Sequence, residues 1–161
     1  MPAAHAHSSD QGIAGLAVRS EPLATLTLEL QLATPENAAT GSATIVGGQA
    51  AGGLCGMVLP GLLEWSRDSE RGLAQLALRY GLQTADGQRL QMIDRASFPC
   101  TGASPWASPI STSTELEAMA DPAADVLQEA AAGLVPGITV GRLDASALGA
   151  GRLRLELHRV I

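Results

Sequence analysis

Six residues in the middle of the chain are of the types that small-molecule chemistry uses: Glu64, Trp65, Arg79, Tyr80, Asp94 and Arg95. An arginine can hold a carboxylate or enolate oxygen through two parallel hydrogen bonds. A tyrosine or aspartate within reach of that oxygen can transfer a proton, and a tryptophan can stack on a flat ligand. On this reading Tyr80, Asp94 and Arg95 are the candidate catalytic residues. Glu64, Trp65, Arg79 and the more distant Trp106 are the candidate ligand contacts. The competing, purely structural reading makes Arg79 and Asp94 an outer-wall ion pair worth ~0.2–1 kcal/mol, with Tyr80 and Trp65 in the core.

Other chemistries can be set aside. The ten basic residues are all arginine, so there is no Schiff-base lysine for pyridoxal phosphate or class I aldolase chemistry. A phosphate-binding P-loop also needs its lysine. The arginines are scattered from Arg19 to Arg159 and the formal charge is −6, which argues against a nucleic-acid surface. Cys55 and Cys100 are far apart and lack CxxC partners, so no zinc site is expected. They read as two buried, inert thiols, with one disulfide left open. His5 and His7 fall in a polar terminal arm, and His158 shares a strand face with two arginines and Glu156. Neither arrangement suggests a metal centre, and no cofactor is expected. A serine triad would have to use His158, and no G-x-S-x-G elbow exists. Residues 1–10 carry no basic region followed by an apolar run, and no stretch has the ~18–20 apolar residues of a membrane helix. A cytoplasmic location without membrane contact follows as the expectation.

The elements that would position these residues are mostly strands. Residues 1–20 read as a flexible arm and 21–161 as one domain. Leu26, Leu28, Leu30 and Leu32 alternate with polar residues, as does the run Leu76, Leu78, Tyr80, Leu82, giving the period of two of a half-buried strand. Asp86-Gly87 is a hairpin turn signal and predicts a hairpin over residues 73–96. With those two as the only turn residues, Arg79 stands opposite Asp94, Tyr80 opposite Ile93 and Leu78 opposite Arg95. That register puts an Arg79–Asp94 pair on one face and Tyr80 with Arg95 on the other. Gly47-Gly48 and Pro60-Gly61 interrupt two further runs, the glycines reading as bulges and bends. Residues 98–113 read as a long loop, a candidate lid or pocket wall. Thr114 with Glu117 fits a helix capping box, and Asp121 could cap a short helix over about 122–132. Closing strands are expected near 137–143 and 151–160.

Eighteen glycines, nine prolines and only 2% aromatic residues fit many turns around a core of leucine and small side chains. The expected fold is therefore all-β, a single antiparallel barrel of the calycin or lipocalin kind with one short helix. Closure removes the sticky edges a leucine-rich sheet would otherwise present.

One stretch resembles a known family. Ile45-Val46-Gly47-Gly48, Val58-Leu59-Pro60-Gly61 with Glu64-Trp65, and Leu76 to Gly87 resemble the domain-of-unknown-function family 3237, also called uncharacterised protein family 0311. Ile93-Asp94-Arg95 is similar to that family's arginine-bearing strand, and Leu155 to Val160 to its last strand. Asp121-Pro122 and Val126-Leu127 are a looser match. The resemblance implies a small calycin-like barrel. The family usually has acidic residues where this chain has Ala77 and Met57, and aromatic residues around Ala123, Ala124 and Asp125, which implies a re-lined pocket. The shared fold names no reaction.

Two functions are expected from these residues. One is a cofactor-independent isomerase, cyclase or lyase acting on a hydrophobic, oxygenated small molecule; the other is a non-catalytic, lipocalin-like carrier. A stabilising subunit with a filled barrel is a third. The expected partner is that hydrophobic small molecule, with a homodimer left open.

Overall fold

The computed structural model describes residues 19–100, 104–119 and 138–161. Eight antiparallel strands close into a barrel in chain order, the last pairing with the first. They are β1 (Ser20–Leu32), β2 (Thr40–Gly52), β3 (Gly56–Asp68), β4 (Leu73–Thr84), β5 (Arg89–Pro99), β6 (Ile110–Ala118), β7 (Thr139–Asp144) and β8 (Arg152–Val160). The all-β antiparallel barrel expected from the sequence is the fold that forms. A single 3₁₀ turn, Leu148–Ala150, is the helical element among the described residues. The helix expected over about 122–132 and most of the N-terminal arm lie outside them, and no helix among the described residues is long and apolar enough to cross a membrane.

Period-two patterning sorts the strands' side chains. Leu26, Leu28 and Leu30 of β1, Leu76, Leu78 and Leu82 of β4, and Leu153, Leu155 and Leu157 of β8 all turn inward and are buried. Their polar neighbours face solvent, as in a sheet with one wet side. Leucines thus form the core that aromatic residues supply elsewhere.

The two interrupted runs continue as longer strands, with the bulges that the glycines suggested. β2 runs through Gly47-Gly48, and β3 runs through Pro60-Gly61 with a register shift between Leu59 and Leu62. A Cβ on Gly61 would sit 2.0 Å from the Arg79 carbonyl oxygen, so only glycine permits β3 to approach β4 this closely. The proposed helix start at Thr114 is also overturned. Ile110–Ala118 is strand β6, with Ile110, Thr112 and Thr114 buried while Ser111, Ser113 and Glu115 are exposed. Much of the expected loop is therefore strand, with β5 reaching Pro99 and β6 starting at Ile110. The thiols differ from expectation as well: both are free, Cys55 is exposed and Cys100 is half-buried.

The hairpin forms, but its register is one residue away from the expected one. Ala85, Asp86 and Gly87 make a three-residue loop, Gly87 having φ +90°. Its backbone N–H donates to the Thr84 carbonyl at 3.0 Å, and the Thr84 N–H donates to the Gln88 carbonyl at 2.8 Å. The Thr84 hydroxyl holds the turn by bonding the Asp86 carboxylate and accepting from the Gln88 N–H. Leu78 consequently stands opposite Asp94, Tyr80 opposite Met92, Arg79 opposite Ile93 and Ala77 opposite Arg95. A slip of one residue exchanges the partners of every side chain along the ladder.

Candidate functional site

The corrected register re-sorts the candidate residues across the barrel wall. Tyr80 of β4 and Asp94 of β5 both project inward and are sealed from solvent, at 1% and 0% exposure. Arg79 and Arg95 project outward. The expected Arg79–Asp94 pair therefore does not form, and neither does the Tyr80–Arg95 grouping. Arg95 instead bonds Glu115 on neighbouring β6, Nη1 to Oε1 at 3.1 Å, with both side chains largely in water.

Inside the barrel, Asp94 is the centre of a polar arc in a leucine interior. β6 lies beside β5 with Thr114 directly opposite Asp94, and the Thr114 hydroxyl donates to Asp94 Oδ1 at 2.5 Å. Thr139 of β7 stands opposite Thr114 and is buried too. Among the described residues, Asp94 Oδ2, the Tyr80 hydroxyl and the Thr112 hydroxyl are buried and find no hydrogen-bond partner. Each such group costs ~1–3 kcal/mol in lost hydration. These are polar atoms on three adjacent strands, held where leucine would be more stable.

Burial sets the protonation behaviour of the pair. Removal from water pushes the Asp94 carboxyl from 3.8 up to about 6, against the opposing pull of the Thr114 and Tyr80 hydroxyls. Burial, then the charge of Asp94 and a weak contact with its carboxyl, push the Tyr80 hydroxyl well above its ordinary value. That contact stops short of hydrogen-bond geometry, which is why both atoms remain unpartnered. The arrangement provides one carboxyl that exchanges its proton near neutrality and one phenol that stays protonated. A buried carboxyl raised toward neutrality beside a phenol that stays protonated is the kind of pairing an acid–base site uses.

The other candidates form two further groups. Trp65 and Trp106 are buried together at one end of the barrel, ring centroids 5.7 Å apart and nearly perpendicular, with Phe98 at 6.0 Å from Trp106. Their indole N–H groups donate to the carbonyls of Ala38 and Glu36 in the β1–β2 loop, so they anchor that loop over the barrel end. Outside, Ser42, Glu64, Ala77, Arg95 and Ser113 stand side by side on β2 to β6. They belong to a groove of about 900 Å³ whose lining also includes Trp65, Leu76 and Ala96. Glu64 and Arg95 thus share a surface with each other but not with Tyr80 and Asp94. Arg79 lies outside that lining.

Thr112 and Thr114 were missed by sequence reasoning. The signal was present in Ile110-x-Thr112-x-Thr114-x-Leu116, a period-two run of residues that favour strands. Serines and glutamates between them masked it as a loop and a helix start. Among the described residues, no group of three or more histidine, cysteine or acidic side chains is arranged to hold a metal ion.

No family model matches the chain, and no curated protein matches it. Solved structures do. The chain is similar to a conserved protein of unknown function from Rhodopseudomonas palustris, at 20% identity and TM-score 0.67, covering 89% of this chain and 97% of that one. A protein of unknown function from Clostridium acetobutylicum matches at 17% identity and TM-score 0.65, with the same coverage. An enzyme from Penicillium herquei matches at 16% identity and TM-score 0.56, covering 89% of this chain and 95% of that one. At such identities the likeness is one of fold, and it places this chain among small β-barrels of that architecture.

Proposed function

We propose that the chain is a small-molecule-binding barrel in which Asp94 transfers a proton. It would be a cofactor-independent isomerase, cyclase or lyase acting on a hydrophobic, oxygenated molecule. The supporting observation is the buried arc itself: a carboxyl pushed up to about 6, flanked by hydroxyls that lack partners, within a leucine interior. Thr114 fixes Oδ1, so Oδ2 is the atom free to act as base. It would take a proton from a carbon or hydroxyl of the ligand and return it at another position. Tyr80, kept protonated, would donate to the ligand oxygen on which negative charge develops. The surrounding leucines exclude water and strengthen both interactions.

Membership of the domain-of-unknown-function family 3237 is part of this proposal, resting on the residues around the β4–β5 turn. So is a cytoplasmic location, which the two free thiols favour.

A second reading, a carrier that binds without reacting, is favoured by the complete enclosure of Asp94. One experiment separates the two. Native mass spectrometry of the purified protein identifies a retained small molecule, which is extracted and incubated with the protein in D₂O. The enzyme reading expects conversion or deuterium uptake with the parent protein, and neither with Asp94→Asn or Tyr80→Phe. A retained molecule left unchanged and undeuterated by the parent establishes the carrier. No retained molecule at all removes the support for both.

A further inference from the structure

The ladder between β5 and β6 is incomplete. It runs from Leu90–Ala118 to Arg95–Ser113 and stops, although β5 continues to Pro99 and β6 begins at Ile110. Ala96–Pro99 remains paired to β4, and Ile110–Thr112 to β7. The two strands therefore separate at Ala96 and Thr112. Parting them further there breaks no backbone hydrogen bond between them, whereas opening any fully paired seam would.

Ala96 occupies a singular place at this seam. Strand alternation puts it on the same inward face as Asp94, two residues and ~7 Å along β5. Unlike Asp94 it is half-buried: it packs against the core and also lines the outer groove. It is a small side chain that touches both the groove and the core. On the groove side, Arg95 and Glu64 flank Ala77, and serines extend the row in both directions. That surface suits a hydroxyl- or charge-bearing group.

We infer that the unzipped β5–β6 seam is the passage from the outer groove to Asp94, and that Ala96 sets its width. The inference rests on the proposal that Asp94 is the reacting group, and it adds a substrate class. The ligand is a two-ended molecule. A compact oxygenated end passes Ala96, and a polar, hydrogen-bonding end stays in the groove against Arg95 and Glu64.

Chemical labelling of Asp94 tests the passage without a known ligand. A water-soluble carbodiimide with glycinamide converts accessible carboxyls to amides. Cleavage after arginine then releases Leu90–Arg95, in which Asp94 is the one side-chain carboxyl, and Tyr80–Arg89, in which Asp86 is. Asp86, on the exposed turn, is the internal standard. The parent protein is expected to label at Asp94 more slowly than at Asp86. Ala96→Phe should slow Asp94 by about tenfold, equivalent to about 1.4 kcal/mol in the free energy of opening, and leave Asp86 unchanged. Ala96→Gly should speed Asp94 alone, and this variant decides the matter if the phenylalanine variant shows the red-shifted tryptophan emission of an unfolded chain. An Asp94 that never labels, or labels alike in all three proteins, overturns the inference. Because labelling reads access and the D₂O experiment reads chemistry, the passage and the proton-transfer proposal can fail separately.

Discussion

Replacing Asp94 with asparagine should stabilise the protein at alkaline pH and leave its stability nearly unchanged at acid pH. The folded-state value of the carboxyl is raised from 3.8 to about 6. Below its unfolded value the group is protonated in both states and costs nothing extra. As the pH rises through 4 to 6 the unfolded chain ionises more readily than the folded one, so stability falls. The loss is complete once the pH exceeds the folded value, and at ~1.4 kcal/mol per unit it amounts to about 3 kcal/mol. Asparagine keeps the acceptor for the Thr114 hydroxyl and has no charge to bury. Any cost of its amide against Tyr80 is independent of pH. Asp86 and Asp144, whose values are lowered by Thr84 and Ser146 respectively, contribute equally to both proteins and cancel in the comparison. Urea unfolding followed by the fluorescence of the buried Trp65 and Trp106 measures the effect. The difference in stability between variant and parent should grow by about 3 kcal/mol between pH 3 and pH 8, a shift in midpoint of about 1–2 M. Parallel pH profiles for the two proteins would show that Asp94 does not ionise at a raised pH in the folded barrel.

Other consequences can be checked alongside. Thr114→Val removes the hydroxyl that opposes the rise at Asp94, so the Asp94 titration should move above that of the parent, read by carbon NMR of the carboxyl. Gly141→Ala should destabilise by ~1–3 kcal/mol, since its Cβ would meet Thr112 Oγ1 at 2.2 Å and Leu155 Cδ1 at 2.9 Å; a neutral result in urea would show that the β6–β7 wall is looser than described. Arg95→Ala breaks an exposed pair with Glu115 and should change stability by under ~1 kcal/mol, whereas a loss of several would place Arg95 inside the barrel. A maleimide should label exposed Cys55 faster than half-buried Cys100, as mass mapping would show.

The strands built on leucine alternation were legible in the sequence, because β1, β4 and β8 each bury one face and wet the other. The turn was legible, but its length was not. Asp86-Gly87 marks a reversal, yet the Thr84 hydroxyl and the positive φ of Gly87 recruit Ala85 into the loop. That single residue decides whether Asp94 meets Arg79 or Leu78. β6 was illegible because its buried face carries Thr112 and Thr114, so hydrophobic alternation fades where the interior is polar. Tyr80 and Asp94 could be singled out by type, but that they share a wall follows only from the register. The groove brings together residues of five strands, and no spacing along the chain encodes it.

The proposed proton transfer depends on one buried carboxyl with a raised proton affinity. It is tested most directly by carbon NMR of protein labelled at the aspartate side-chain carboxyls, titrated from acid to neutral pH, with Asp94→Asn identifying the resonance. One aspartate signal titrating near 6 and absent from the variant is expected. If every aspartate titrates at or below ~4, the ordinary range, Asp94 is neither buried nor tuned as described, and the proton-transfer site is contradicted.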